Sequence, residues 1–239
     1  MKKILFCASA VLFVLASCAT DGGSAMDTDY PTPDKICALT FDDGPDSVKT
    51  AKVLDKLEAH GVVATFFLVG QNISNSTKGV MERAKDLGCE FGNHSWSYQS
   101  MDNMSAEEIE ESISKTTSAI ETYVGMTPAF FRPPNLATSQ TMFDTIPYTF
   151  VSGVLGYDWD GMNTSAQKRA DNVLNGIQNG AIILLHDVQP DPHPTPEALD
   201  ILIPELKMKG YEFVTLSELF ARQGVDTAAN HNKMWVVVQ

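Results

Sequence analysis

Five stretches of this chain carry residue types that move protons, bind metal ions or offer flat aromatic faces. They are Thr40-Phe41-Asp42-Asp43-Gly44-Pro45, His94-Ser95-Trp96-Ser97-Tyr98, Arg132-Pro133-Pro134-Asn135, Asp158-Trp159 and Leu184-Leu185-His186-Asp187. Together they supply adjacent carboxylates, two imidazoles, a guanidinium and two tryptophans. Carboxylates and imidazoles are the side chains of general acid–base chemistry and of metal ligation. Each stretch alone has a plain explanation. Asp-Asp-Gly-Pro is a common turn, Arg-Pro-Pro a stiff loop, and a single tryptophan is often packing. Position argues against five coincidences, because each stretch follows or ends a run that reads as a strand.

Those runs alternate with helical patterns along the chain. Residues 35–41, 62–70, 89–92, 130–131, 148–155, 181–186 and 212–216 read as strands. Residues 47–60, 76–87, 105–123, 165–178, 194–209 and 217–222 read as helices, from apolar spacing, caps and terminal glycines. Ser105 with Glu108 forms a capping-box signature. Apolar strands between amphipathic helices call for a parallel sheet covered by helices. About seven or eight βα units favour an α/β fold of the distorted (β/α)-barrel type, in which functional groups gather where strands end. The five stretches then share one mouth. One domain is expected over 35–222, followed by a tail, 223–239, whose placement the sequence leaves open.

The chain has 239 residues and a formal net charge of −13. No basic run is present, so no nucleic-acid partner is expected. Four cysteines are too few for a disulfide scaffold. Cys37 and Cys89 could pair outside the cell, but buried free thiols in strand-like contexts are preferred. Met1-Lys2-Lys3, an apolar run to Leu15 and then Ala16-Ser17-Cys18 resemble a bacterial lipoprotein signal. That reading makes 1–17 a removed signal, Cys18 the lipidated residue and 18–34 a flexible acidic tether. It places the protein in the cell envelope, anchored by lipid and facing away from the cytoplasm.

In this order, the five stretches resemble the polysaccharide deacetylases of carbohydrate esterase family 4. The resemblance runs over about residues 36–221. Gly92–Tyr98, Phe131–Leu136 and His186–Glu197 look most like bacterial acetylxylan esterases. It implies hydrolysis of acetyl groups by metal-activated water, and no Gly-x-Ser-x-Gly elbow points to a serine hydrolase instead.

The implied metal ligands are Asp43 and His94, holding one Zn²⁺, Co²⁺ or Ni²⁺ ion. The family usually has a second histidine four residues after the first, a spacing that brings two side chains to one face of a helical turn. Tyr98 stands there instead. Either it ligates as phenolate, or water takes that position and Tyr98 lines the site; the second is favoured because a phenol titrates near 10. Asp42 is the implied general base and Arg132 the arginine that grips it in a planar fork. His186 is the implied general acid, with Asp158 supporting its imidazolium. The metal and the Asn135 N–H are the implied oxyanion holders. Leu184 is implied to meet the acetyl methyl, and Trp159 and Trp96 to offer flat faces to sugar.

Asp160, Asp187, His60, His193 and His231 are given no catalytic role, and His193 and His231 are read as surface residues. The expected partner is an acetylated polysaccharide, met by a monomer whose only membrane contact is its lipid. O-Deacetylation of xylan is the leading expectation. N-Deacetylation of peptidoglycan or chitin-type sugars is the alternative. A carbohydrate-binding lipoprotein without catalysis is a further one, opposed by retention of the whole polar set.

Overall fold

The structure is a computed structural model that describes residues 30–160, 165–227 and 232–239. The readings on the signal, Cys18, most of the tether and His231 fall outside those residues.

Strand β1 (Lys35–Asp42) is the hub. It pairs along Cys37–Asp42 with β7 (Ala181–His186). Two strands share its other edge: β8 (Tyr211–Val214) along Lys35–Ala38 and β2 (Thr65–Leu68) along Thr40–Asp42. The parallel path continues from β2 through β3 (Glu90–Asn93) and β4 (Phe130–Phe131) to β5 (Thr149–Val151). Strand β6 (Val154–Leu155) pairs with β7 at the other end of the path. Only Ser152 and Gly153 separate β5 from β6, so the chain itself links the two ends of the curled sheet. The expected distorted α/β barrel is therefore present.

The sequence of β1 shows how the sheet aims the site. Cys37, Leu39 and Phe41 belong to the apolar cluster formed with the helices, while Ile36 and Ala38 belong to a second cluster with Phe67, Phe130, Val151 and Ile182. Side chains alternate with period two along a strand. Thr40 and Asp42 thus continue the series of Ile36 and Ala38, which turns polar toward the carboxyl end. The apolar cluster below excludes water from the floor of the site.

Helices α1 (Lys49–His60), α2 (Lys78–Asp86), α5 (Ala166–Gly176) and α6 (Thr195–Met208) lie within the expected spans, and α3 (Ala106–Val124) runs one residue past its expected end. Helix α1 buries Thr50, Val53, Leu54 and Leu57 and ends on Gly61 in the left-handed conformation. The Ser105–Glu108 capping box opens α3 as expected. Helix α4 (Gln140–Thr145), capped by Ser139, was not foreseen; six residues give too little periodicity to read. Helix α7 (Leu216–Arg222) follows β8. Among the described residues, no helix is long and apolar enough to cross a membrane.

Two readings are corrected. The strand expected over 148–155 is broken at Ser152-Gly153. A Cβ on Gly153 would come within 2.9 Å of the β7 backbone at Ile182 and Leu184, so the close approach there requires glycine. The strand expected over 62–70 is confined to Thr65–Leu68. The tail, left open by the sequence, carries β9 (Met234–Trp235), which pairs with β5. Trp235 packs edge-on to Phe220 of α7, and Val237 bridges Ala181. Cys37 and Cys89 are free and buried, as expected, and burial pushes the Cys89 thiol up to about 11.

Candidate active site

At the carboxyl ends of the strands lies a cavity of about 460 Å³. Asp42, Asp43, His94, Tyr98, Asn135, Trp159, Leu184 and His186 all line it, with Pro133, Pro134, Leu136 and Gln189. Register explains the convergence: Asp42 pairs with His186, and Asn93 with Phe131, so the residues that follow emerge side by side.

Arg132 stands behind Asp42 and is wholly buried. Its Nη1 donates to Asp42 Oδ1 at 2.6 Å. Its Nη2 donates to the Ser152 carbonyl at 2.8 Å and its Nε to Val151 O at 3.4 Å. The expected two-point fork on Asp42 is therefore not formed. The guanidinium gives one arm to the carboxylate and two to carbonyls at the break between β5 and β6, with its Cζ 4.2 Å from the Phe67 ring centroid. The broken strand and the gripping arginine are one feature. Asp42 keeps Oδ2 toward the cavity, 3.9 Å from His94 Nε2.

His94 Nδ1 lies 2.6 Å from the Arg132 carbonyl. A carbonyl only accepts, so Nδ1 carries the proton and Nε2 offers a lone pair. That lone pair faces Asp43 Oδ1 at 3.6 Å, beyond hydrogen-bond distance. A neutral imidazole nitrogen opposite a carboxylate, its ring fixed by a backbone acceptor, is a donor set that fits a divalent cation. With no ion between them, burial disfavours the imidazolium, but Asp42, Asp43 and the Arg132 carbonyl outweigh it and raise the His94 pKa. A cation and that proton compete for Nε2.

Tyr98 lines the same cavity. Its hydroxyl accepts from Asn72 Nδ2 at 2.8 Å and donates to the Asp43 carbonyl at 3.3 Å. Burial and the charges of Asp43, Asp187 and Asp46 raise its pKa against the Asn72 hydrogen bond. Among the described residues, no group of three or more His, Cys, Asp or Glu is placed to hold a metal ion. The helical turn expected between His94 and Tyr98 is absent: Ser95 has φ 64° and the segment bends.

On the opposite wall, His186 Nδ1 lies 2.7 Å from Asp158 Oδ1, and its backbone N–H donates to Asp158 Oδ2 at 2.8 Å. Burial lowers the His186 pKa, but Asp158, with Asp42 and Asp43, pushes it up to about 9. The Asp158 carboxyl is held below its ordinary range: His186 and Thr195 outweigh its burial. Trp159 is exposed and meets the His186 ring edge-on at 5.4 Å. Asn135 lines the cavity with φ 56°, a left-handed conformation uncommon outside glycine.

Two readings change. Trp96 is not among the cavity-lining residues; Lys115 Nζ sits 3.8 Å from its ring centroid, and a Cβ on Gly70 would strike that ring. Trp96 packs rather than facing the cavity. His193 is no surface residue: its Nε2 donates to the His186 carbonyl at 2.8 Å, while its Nδ1 receives Arg169 Nη1 at 3.0 Å. Arg169 also donates to Thr195 Oγ1, which donates to Asp158. Asp187 is wholly buried beneath Gly44, receiving the Thr50 hydroxyl on Oδ2 with Oδ1 left without a partner. Burial pushes its pKa up to about 7. Gln189, Asn72, Arg169 and Thr195 were not foreseen. Gln189 and Thr195 fall within the His186–Glu197 stretch but were given no role, and nothing in the types of Asn72, or of Arg169 on α5, marked them.

The polysaccharide deacetylase family description matches residues 29–149. The chain is 54% identical to the family 4 acetyl xylan esterase from Clostridium thermocellum, solved in complex with a cobalt ion. That match covers 85% of this chain and 99% of the other, with a TM-score of 0.83. It is 43% identical over 201 residues to a bifunctional xylanase/deacetylase of Pseudobutyrivibrio xylanivorans, covering 84% of this chain and 33% of that protein. It is 36% identical over 190 residues to a peptidoglycan-N-acetylglucosamine deacetylase of Listeria monocytogenes, covering 79% of this chain and 40% of that one. The chain thus spans between a third and two fifths of those two proteins' length. By the family match and by these relatives, this chain belongs to the polysaccharide deacetylase family.

Proposed function

We propose that this protein removes acetyl groups from a polysaccharide, with O-acetyl groups of xylan as the leading substrate. One observation carries the reading. Two buried, supported pairs, Asp42 with Arg132 and His186 with Asp158, open onto the same cavity as Asp43 and His94. Its likeness to an acetyl xylan esterase and to a xylanase/deacetylase supports the choice of xylan.

Asp43 and His94 would hold one divalent ion, Co²⁺, Ni²⁺ or Zn²⁺. When bound, it would polarise the acetyl carbonyl and acidify neighbouring water. Asp42 takes the proton from the attacking water at Oδ2, since Oδ1 is committed to Arg132. Arg132 keeps that carboxylate ionised and aimed. His186 delivers a proton from Nε2 to the departing sugar oxygen, because Nδ1 is committed to Asp158. The Asn135 N–H supports the developing oxyanion. Leu184 lies against the acetyl methyl, and Trp159 stacks on the sugar.

The test is acetate release by chelated and then metal-reloaded protein. Acetylated xylan is compared with acetylated glucosamine oligomers. Release from xylan, lost on chelation and restored by Co²⁺, Ni²⁺ or Zn²⁺, supports the reading. Preference for the glucosamine oligomers supports the N-deacetylase reading, which the peptidoglycan-acting relative favours. Full activity in protein shown by elemental analysis to be metal-free overturns the mechanism.

We also propose that Cys18 carries lipid and holds a monomeric domain at the cell envelope. Cys18→Ala should release or mis-sort the protein. Wild-type protein free in the culture medium with an unmodified N-terminus would refute the anchor.

A further inference from the structure

We propose that Gln189 is a positioning residue that turns Asp43 into a one-oxygen metal ligand. The inference rests on the metal-dependent reading above. Gln189 Nε2 lies 2.5 Å from Asp43 Oδ2. A carboxylate only accepts, so the amide must present its N–H₂ side. That leaves Oδ1 as the oxygen turned to His94 Nε2, 3.6 Å away.

A carboxylate on a freely turning side chain can bind a cation through either oxygen or both. With one of them held by an amide donor, the choice is made before the cation arrives. Outer partners of this kind orient ligands and preserve affinity. The need is greater when Tyr98 only lines the site, since no third ligand then corrects a misaligned pair. Asp43 is already constrained from behind. Its φ of 77° is left-handed, and its carbonyl accepts Asn72 Nδ2 at 2.9 Å. Gln189 completes the constraint from the front.

Gln189 is in turn anchored. Its backbone carbonyl accepts the Lys49 ammonium, at the first residue of α1. Asp187, two residues earlier in the same loop, is tied to Thr50 of that helix. The amide is also neutral. A lysine could donate to Asp43 equally well, but its charge would repel the cation.

The experiment measures Co²⁺ affinity without substrate, by calorimetry on the full chain, together with the visible absorption of the cobalt form. Gln189→Leu keeps the bulk and loses the donor; Gln189→Lys keeps a donor and adds charge. Metal-free thermal unfolding is followed in parallel to confirm that each variant folds. Affinity roughly 10–100-fold weaker in Gln189→Leu, the range for outer-partner loss, is the expected result. A changed cobalt spectrum should accompany it, and Gln189→Lys should be weaker still. Gln189→Leu affinity within twofold of wild type, with an unchanged spectrum, overturns the inference. So does a raised KM for substrate at unchanged cobalt affinity, which would make Gln189 a substrate contact. Failure of the wild-type chain to bind cobalt would instead overturn the reading it rests on. If Gln189→Leu does not fold, Gln189→Lys alone decides: affinity equal to wild type overturns the proposal.

Discussion

His186 and Asp158 form a closed pair. The carboxylate receives both the ring Nδ1–H and the backbone N–H of the same histidine, at 2.7 and 2.8 Å. The ring cannot turn without breaking the first bond, so Nε2 is the nitrogen that serves the cavity. A general acid works while protonated. Burial alone would lower the His186 pKa, and the carboxylates instead bring it to about 9. The pair therefore keeps the acid charged through neutrality. A raised histidine pKa also stabilises the fold below about 6.5, a contribution lost as pH rises through about 9. A bound cation offsets the charges of Asp42 and Asp43, so the alkaline limb of activity should fall between those two values. Asp158→Asn should move that limb down, since the partner that raises the pKa most is then gone and only Asp42 and Asp43 are left to oppose burial. The pH profile of kcat checks this. An alkaline limb that stays in place would show that Asp158 does not set the acidity. His186→Gln should cost roughly 10²–10⁴-fold in kcat, the usual worth of a general acid.

Arg132 divides its donors between Asp42 and two carbonyls. Lysine has three protons on one nitrogen and cannot reach three acceptors spread along a guanidinium. Arg132→Lys should therefore loosen Asp42 and leave a buried carbonyl unpaired, costing about 1–3 kcal/mol of stability. Arg132→Gln leaves Asp42 buried without its counter-charge and should cost about 3–5 kcal/mol. Thermal unfolding of both variants provides the comparison. Equal stability of Arg132→Lys and wild type would mean that the two carbonyl contacts add nothing.

The sequence made the inward-facing end of each strand legible because types and position agree there. Asp42, Asp43, His94, His186 and Leu184 all reach the predicted mouth. The departure at Tyr98 was legible too, since an aromatic phenol in an imidazole position changes the chemistry outright. What could not be read depends on three dimensions. Trp96 looked like a sugar platform, but only packing shows Lys115 and Gly70 on its faces. His193 looked exposed between prolines, yet the turn returns it to the His186 carbonyl. The break at Ser152-Gly153 was hidden within an apolar run, because the arginine that needs those carbonyls lies 20 residues earlier.

Asp187 gives a stability test independent of catalysis. It is wholly buried, one oxygen has no partner, and its pKa rises from the ordinary 3.8 to about 7. The native state then binds a proton that the unfolded chain has already lost. By linkage, the fold of the metal-free protein loses stability as pH rises from about 4 to about 7, and the loss persists above. Its upper bound is on the order of 4 kcal/mol. Asp187→Asn is neutral at every pH and should flatten this dependence, gaining stability at pH 8 but not at pH 4. Chemical unfolding of chelated protein at both values is the measurement. Parallel curves for wild type and variant would show that Asp187 does not hold the proton.

Tyr98 stands where the family usually has a second histidine, and two substitutions test whether it ligates. Its hydroxyl donates to the Asp43 carbonyl at 3.3 Å, a longer contact than the 2.9 Å bond from Asn72 to the same oxygen. Tyr98→Phe removes only the weaker of two supports, so metal affinity should change by less than tenfold, or about 1.4 kcal/mol. A larger loss would show the phenol oxygen to be a ligand after all. Tyr98→His presents a second imidazole to the cavity lined by His94 and Asp43. Affinity should rise, and selectivity should move toward Zn²⁺, which favours tetrahedral sites with nitrogen ligands. The bend at Ser95 sets a condition on that gain, since 94–98 is not helical and the new ring must reach the ion from a loop. Calorimetric titration of Zn²⁺ and Co²⁺ into wild type and both variants gives the comparison. Unchanged Zn²⁺ affinity in Tyr98→His would mean that the bend holds position 98 out of reach, and that the two-ligand site is fixed by the backbone as well as by the side chain.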